Sequence, residues 1–354
     1  MKPNASGYQP IYRRTRGGVV ESVHFGAVAV VNPTGELIAH YGDPQTVTFL
    51  RSSAKPFQAL PLVEKGGRER FSITEEELAL ICASHSSSPP HREVLKGLQE
   101  KISVAETDLA WGTHGPFHQP TREKLICSGQ APSPNHHNCS GKHTGMLALT
   151  KLIGAPLENY PEKDHPVQQY ILETFVEMCS LPEAEIKLGR DGCSVTTFAL
   201  PLQHAAWAWA RLADPHLLAP SRRDACQSIS QAMTTHPLMV AGEDRFDTQL
   251  MKAAQGRIIS KAGAEAYQTL GIPPRGTSSS TAGLGIAFKI ADGDRGKSAR
   301  SAVALEILRQ LDLISPDELD QLKDFGPINT ITNQREIEVG YGEPCFQLSI
   351  TNMT

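Results

Sequence analysis

The stretch Arg51-Ser52-Ser53-Ala54-Lys55-Pro56 sets a serine hydroxyl three residues ahead of a lysine amine. On a helical turn these groups lie side by side, so an uncharged amine can take the hydroxyl proton as the oxygen attacks a carbonyl carbon. That role needs a lysine whose charged form is disfavoured by burial or by a neighbouring cation, and Arg51 or a second lysine would supply the cation. About one Ser-x-x-Lys arises by chance in a chain of this size, so the spacing alone is not specific evidence, and it is the context that raises its value. Pro56 constrains the local geometry, because its ring would clash with the Ser52 carbonyl in a regular helix begun there. The sequence therefore predicts a strained or 3₁₀ turn through Ser52, with the regular helix starting near Lys55.

Four further segments carry reactive side chains. In CASHSSSPPH, residues 82–91, Ser84 and His85 follow a helical run and precede a proline break, and helix capping explains Ser84 without any catalytic role. NHHNCSGKHTGMLAL, residues 135–149, gathers three histidines, Cys139, Gly141 and Lys142 ahead of an apolar helical pattern. A thiolate at Cys139 would be favoured by the helix dipole. Together with Cys193 of RDGCS, residues 190–194, it makes a candidate two-thiolate zinc site, although neither segment contains Cys-x-x-Cys. Lys261 lies in IISKAGAEAYQ, residues 258–268, where a solvated strand lysine is the plain reading, and Asp191-Gly192 fits a turn.

These side chains need a scaffold, and the 354-residue chain can bury a substantial core. Its net charge is only -4 and it has no dense Lys/Arg run, which argues against nucleic acid or an anionic membrane as partner. No segment reaches the ~18 uncharged apolar residues of a membrane span and the start lacks a signal-peptide pattern, so a cytoplasmic protein acting on small molecules is expected. Seven scattered cysteines do not make a disulfide framework, and Cys82, Cys179, Cys226 and Cys345 read as small core hydrophobes.

From Val19 to Leu50, Val, Thr and aromatic residues broken at Asn32-Pro33-Thr34-Gly35 and Gly42-Asp43-Pro44 predict a β-meander. Apolar periodicity predicts helices at about 56–66, 74–83, 90–103, 142–153, 165–179, 197–213 and 220–234. Strand character returns over 256–272 and 282–293, a helix follows over 300–314, and alternation after Pro327 fits one or two more strands or a surface course. The expected fold class is α/β of the α+β kind: an antiparallel sheet built from N- and C-terminal strands, flanked by helices, with a largely helical middle portion. Residues 16–70 and 256–354 form the sheet-containing portion and 71–255 the mainly helical one with the candidate zinc-ligand loops, within one intimate globular unit.

Taken in order, RGGVVESVHFG, RSSAKPFQALPLVE, ASHSS with HREVL, WGTHGP, NCSGKHTGMLA, DHPVQQYI, DGC with FALPL, SKAGAEA and GLGIAFKIADG resemble the rhizobial-type bacterial L-asparaginase II family, from about Arg16 to Ile314. The resemblance implies a fold similar to serine β-lactamases and serine glutaminases. It also implies two Ser–Lys couples, Ser52 with Lys55 and Ser84 with Lys261, and a Zn²⁺ ion held by Cys139, Lys142 and Cys193 with Asp191 beside it. A lysine binds metal only as the neutral amine, so zinc affinity should fall as pH drops. One departure stands out: after Asp191-Gly192-Cys193 the family usually has Gly and, two positions on, Pro, where this chain has Ser194-Val195-Thr196.

The resulting expectation is an amidohydrolase converting L-asparagine to L-aspartate and ammonia through a serine acyl-enzyme. Ser52 would attack, Lys55 would act as base, and Ser84 with Lys261 would form the second couple. Arg51, His85 and Asp191 are the candidate substrate-binding residues, and zinc is read as positioning substrate. A homodimer is expected from the resemblance. The rival readings are a β-lactam or peptidoglycan-type serine acylase, disfavoured by the lack of Lys-Thr-Gly and Ser-Asp-Asn motifs, and a non-catalytic zinc-dependent amino-acid sensor, which leaves Ser-x-x-Lys unexplained.

Overall fold

The structure, a computed structural model, describes residues 7–274, 282–296 and 298–351. It divides into two compact units, one of residues 1–53, 200–214 and 253–354, the other of residues 54–199 and 215–252.

The first unit is built on an antiparallel sheet. Its strands run across the sheet in the order Asn329–Thr332, Glu338–Pro344, Gln9–Arg16, Val19–Val31, Leu284–Ile290, Tyr267–Ile272, Ile259–Gly263. Leu37–Tyr41 also pairs with Val19–Val31, and Ser349–Ile350 pairs with Leu37–Tyr41. The run Val28–Val31 has a neighbour on each edge and is wholly buried, which suits its unbroken Val and Ala residues. The turn after this strand is set by Asn32, whose side-chain oxygen accepts the backbone N–H groups of Thr34 at 3.1 Å and Glu36 at 3.0 Å. Helices Leu202–Ala213 and Ala299–Gln310 pack on the sheet. Gly285 permits the first of these contacts, because a Cβ there would run into the Ala206 backbone.

The second unit is mainly helical: Lys55–Glu64, Glu75–Ile81, Pro89–Ile102, Gln119–Cys127, Ser140–Leu152, Pro166–Cys179 and Pro220–Thr235 are its longer helices. Thr74 and Glu77 close a reciprocal capping box that starts the Glu75–Ile81 helix. Its aromatic core includes Phe175, stacked on Phe198 with ring centroids 4.0 Å apart and edge-on to Phe57 at 5.6 Å. A short hairpin pairs Lys187–Arg190 with Thr196–Ala199.

The sheet of N- and C-terminal strands with helices against it matches the expected class, and the stretch after Pro327 contributes three strands. The periodicity over 197–213 misread one boundary: Thr196–Pro201 is a strand and the helix begins at Leu202, since Thr196-Thr197-Phe198 favours extended backbone and Pro201 lacks the donor a helix interior needs. The helical unit already includes Lys55–Glu64, and the sheet unit takes in Leu202–Ala213. Among the described residues no helix is long and apolar enough to cross a membrane.

Candidate active site

Where the sheet unit's chain ends at Ser53, Arg51–Ala54 forms a 3₁₀ turn, and the regular helix starts at Lys55, as Pro56 requires. The turn opens on strained backbone, with Arg51 at φ 52°. Two contacts fix it to the strand Ile259–Gly263. Ser53 Oγ donates to the Lys261 carbonyl at 3.0 Å, and Gly263 leaves room that a Cβ would close, since it would stand 2.5 Å from the Leu50 carbonyl oxygen and 3.2 Å from Ser53 Oγ. Ser52 is half-buried on this turn. Lys261 is wholly buried, unlike the solvated strand lysine that local pattern suggests, because the whole strand is covered. Its Nζ donates to the Ala262 carbonyl at 2.9 Å.

In the helical unit, Lys55 is buried and its Nζ donates to Ser84 Oγ at 3.1 Å, to the Ala83 carbonyl, and to the Asn138 carbonyl at 3.4 Å. Burial pushes its amine below the ordinary lysine value and the Lys142 charge adds to that push, against an opposing pull from Cys139 and Cys193. The Ser84 backbone N–H donates to the Val240 carbonyl at 2.9 Å, and the cap positions of the flanking helices are taken by Cys82 and Ser88, so Ser84 caps neither. The resemblance pairs Lys55 with Ser52; the hydroxyl to which Lys55 donates is that of Ser84.

Cys139, Lys142 and Cys193 come together in the same unit, all buried. Lys142 Nζ donates to Cys193 Sγ at 2.9 Å. A proton donated by Cys193 lowers the Cys139 thiol well below its ordinary value, with Lys55, Lys142 and His137 assisting against burial, while the same bond and burial hold Cys193 up. Burial alone would depress Lys142, but Cys193, Cys139 and Asp191 outweigh it and raise the amine. Two sulfurs and, once zinc has displaced its proton, the Lys142 nitrogen would make a donor set that suits zinc. Among the described residues no group of three or more His, Cys, Asp or Glu is placed for a metal, so such a site depends on the lysine. Gly141 lets the Ser140–Leu152 helix approach the Leu80 backbone, where a Cβ would clash.

The departure after Cys193 has a backbone consequence. Ser194 sits at φ 71°, in a turn closed by Ser194 N–H to the Asp191 carbonyl and Asp191 N–H to the Val195 carbonyl, each 2.9 Å. Glycine adopts that conformation without strain, whereas serine does not. Asp191 is half-buried, and its carboxylate accepts the Gly192 N–H at 2.7 Å.

His85 is wholly buried. Its Nδ1 accepts the Ser87 N–H at 3.1 Å, so Nε2 carries the proton and donates to Ser140 Oγ at 2.8 Å. This ties the Ser84 loop to the residue after Cys139. Burial, with His91 and Lys55 nearby, keeps the ring neutral. Sequence reasoning missed this link, the Asn138 carbonyl at Lys55, and His137, whose Nδ1 accepts the Cys139 N–H at 3.0 Å. The density of His and Ser around Cys139 was the available signal, and nothing in it specified partners.

A family model described as L-asparaginase II matches residues 13–344, nearly the whole chain. The chain belongs to the L-asparaginase II family. It is accordingly an amidohydrolase acting on small-molecule amides. No curated protein sequence matches this family member. Among solved structures it is similar to a Bacillus glutaminase determined in 4.3 M NaCl, with 12% identity over 81% of this chain and 91% of that one and a TM-score of 0.39. A probable glutaminase from Bacillus subtilis, complexed with 6-diazo-5-oxo-L-norleucine, gives 13% identity over 81% and 84%, TM-score 0.39. A protein designated Mglu, in its native form, gives 16% over 83% and 63%, TM-score 0.44. Likenesses this loose add nothing to the fold established from the strands and helices themselves.

Proposed function

We propose that this member of the L-asparaginase II family hydrolyses L-asparagine to L-aspartate and ammonia through an acyl-enzyme on serine. The observation that carries the reading is the Lys55 amine, removed from water and depressed by burial, at 3.1 Å from the Ser84 hydroxyl. Such an amine holds a neutral fraction that an exposed lysine lacks, so it can accept a hydroxyl proton. Ser52 is the proposed nucleophile, on the strained turn that leads into Lys55. Its Oγ bonds to the side-chain amide carbon as Lys55 takes the proton. Ser84 relays a proton to the departing ammonia, Lys261 serves this second couple, and water then cleaves the ester to release L-aspartate.

Cys139, Lys142 and Cys193 would hold zinc, which would supply a fixed positive charge for the amino-acid end of the substrate. Arg51 and Asp191 are proposed to orient the carboxylate and amine of the substrate by charge, and His85 to support the pocket through Ser140. The testing experiment treats the protein with a diazoketone analogue of asparagine and maps the labelled peptide. A label on Ser52 supports the assignment, a label on Ser84 exchanges the two serine roles, and protection of neither by asparagine rejects the acyl-enzyme.

A further inference from the structure

Within the helical unit a cavity of about 440 Å³ opens between the outer face of the Pro89–Ile102 helix and the turn Pro134–His136, lined by Arg92, Glu93, Lys96, Glu106, Ser133 and His136 among others. In its wall Arg92 Nη1 stands 3.3 Å from His136 Nε2. His136 Nδ1 accepts the Ser133 backbone N–H at 3.0 Å, so the proton of the neutral ring is on Nε2. A guanidinium N–H and an imidazole N–H therefore face one another, and among the described residues Arg92 has no carboxylate partner. An oxyanion placed there would accept from both donors and remove the mismatch.

The rest of the lining narrows the ligand. Lys96 adds a cation, while Glu93 and Glu106 bring negative charge into the same cavity. One oxygen of Glu106 accepts the Asn135 backbone N–H at 2.7 Å, which fixes its carboxylate at the cavity and leaves its other oxygen for a cation. Cationic and anionic groups in one cavity of this size match a small zwitterion better than a simple anion.

We propose that this cavity is a second, non-catalytic site for a free α-amino acid, its carboxylate between Arg92 and His136 and its ammonium toward Glu106 and Glu93. The site is coupled to the chemistry by the chain itself. The turn that carries His136 runs on to Asn138, whose carbonyl accepts from Lys55, and the Asn135 carbonyl accepts from Ser140 Oγ at 3.4 Å. An occupant would restrain the segment that holds Lys55 and Cys139 in place.

The test counts L-aspartate bound per chain by calorimetry, since aspartate has no amide to hydrolyse. The wild type should bind one more equivalent than Arg92→Gln, or bind it at least about tenfold more tightly, as expected for loss of a charge-assisted bond. His136→Gln keeps an N–H donor and should retain that equivalent, with all three proteins melting at the same temperature. Identical counts and affinities for wild type and Arg92→Gln would overturn the proposal. So would displacement of this equivalent by acetate or inorganic phosphate at the concentrations at which aspartate binds, which would mark a site for oxyanions alone. The comparison holds whether or not the chain hydrolyses asparagine, because it reads a difference between two proteins at a site away from the reacting groups.

Discussion

Lys55 Nζ lies 3.1 Å from Ser84 Oγ, and both side chains are buried. The lysine that sequence spacing offers to Ser52 is thus bonded to a serine 29 residues further along the chain. Removing the amine as Lys55→Met should lower kcat by on the order of 10²–10⁴-fold with the fold retained. Ser84→Ala should fall in the same range if it relays the proton. Because burial lowers the lysine pKa, activity should rise with pH along a limb whose midpoint lies below the ordinary lysine value. A pH–rate profile of the wild type checks this, and an acidic limb that survives in Lys55→Met would assign it to another group.

The thiol pair and Lys142 predict metal content. Purified protein should carry about one zinc per chain, and Cys139→Ser should carry far less. Elemental analysis decides, and equal stoichiometry in the two proteins would remove zinc from the site. Ser194→Gly should keep the metal while relieving left-handed strain, raising stability by up to about 1 kcal/mol in thermal melts. Ser194→Val should lose at least as much.

His91 makes the fold acid-sensitive. Its Nε2–H donates to the Leu238 carbonyl at 2.9 Å and Nδ1 accepts from Ser88 at 2.6 Å, while burial pushes its pKa from 6.5 to about 4. The unfolded chain therefore binds a proton that the native ring refuses between those values. The stabilisation is complete above pH 6.5 and is lost as pH falls toward 4, by about 3 kcal/mol for this ring alone. His85 and His143, also depressed by burial, act with the same sign. Denaturant melts from pH 7 to 4 should show the slope, and His91→Gln should flatten it.

Gly263 is predicted to control the Ser52 turn. A methyl at this position would overlap the Leu50 carbonyl and press on Ser53. Gly263→Ala should cost roughly 1–3 kcal/mol and lower kcat more than it changes KM. An enzyme with wild-type kcat would show that the turn adapts.

Legibility followed locality. Pro56 announced the 3₁₀ turn before Lys55 because the clash it avoids lies within one turn of chain, and the Val-rich run to Val31 announced a strand of a β-meander for the same reason. The strand Gln9–Arg16 was hidden by its three arginines, whose side chains lie on a solvent-facing side of the sheet, as where Arg13 reaches Glu343 of the neighbouring strand at 2.7 Å. The Gln119–Cys127 helix has few buried apolar positions, only Leu125 among its large side chains, so periodicity did not register it. At the site, residue types were readable but their partners were not. The bond from Lys55 to Ser84, the Asn138 carbonyl and the His85–Ser140 link all join residues distant in sequence, and only tertiary packing chooses among the available hydroxyls.

The pairing of Gln9–Arg16 with Glu338–Pro344 joins Arg13 to a residue 330 positions later. Such a sheet cannot close during synthesis until nearly the whole chain has left the ribosome, whereas most of the helical unit is one unbroken run from 54 to 199. Late closure over so long a loop makes this sheet the slow step of folding and leaves its early strands exposed to intermolecular pairing while they wait.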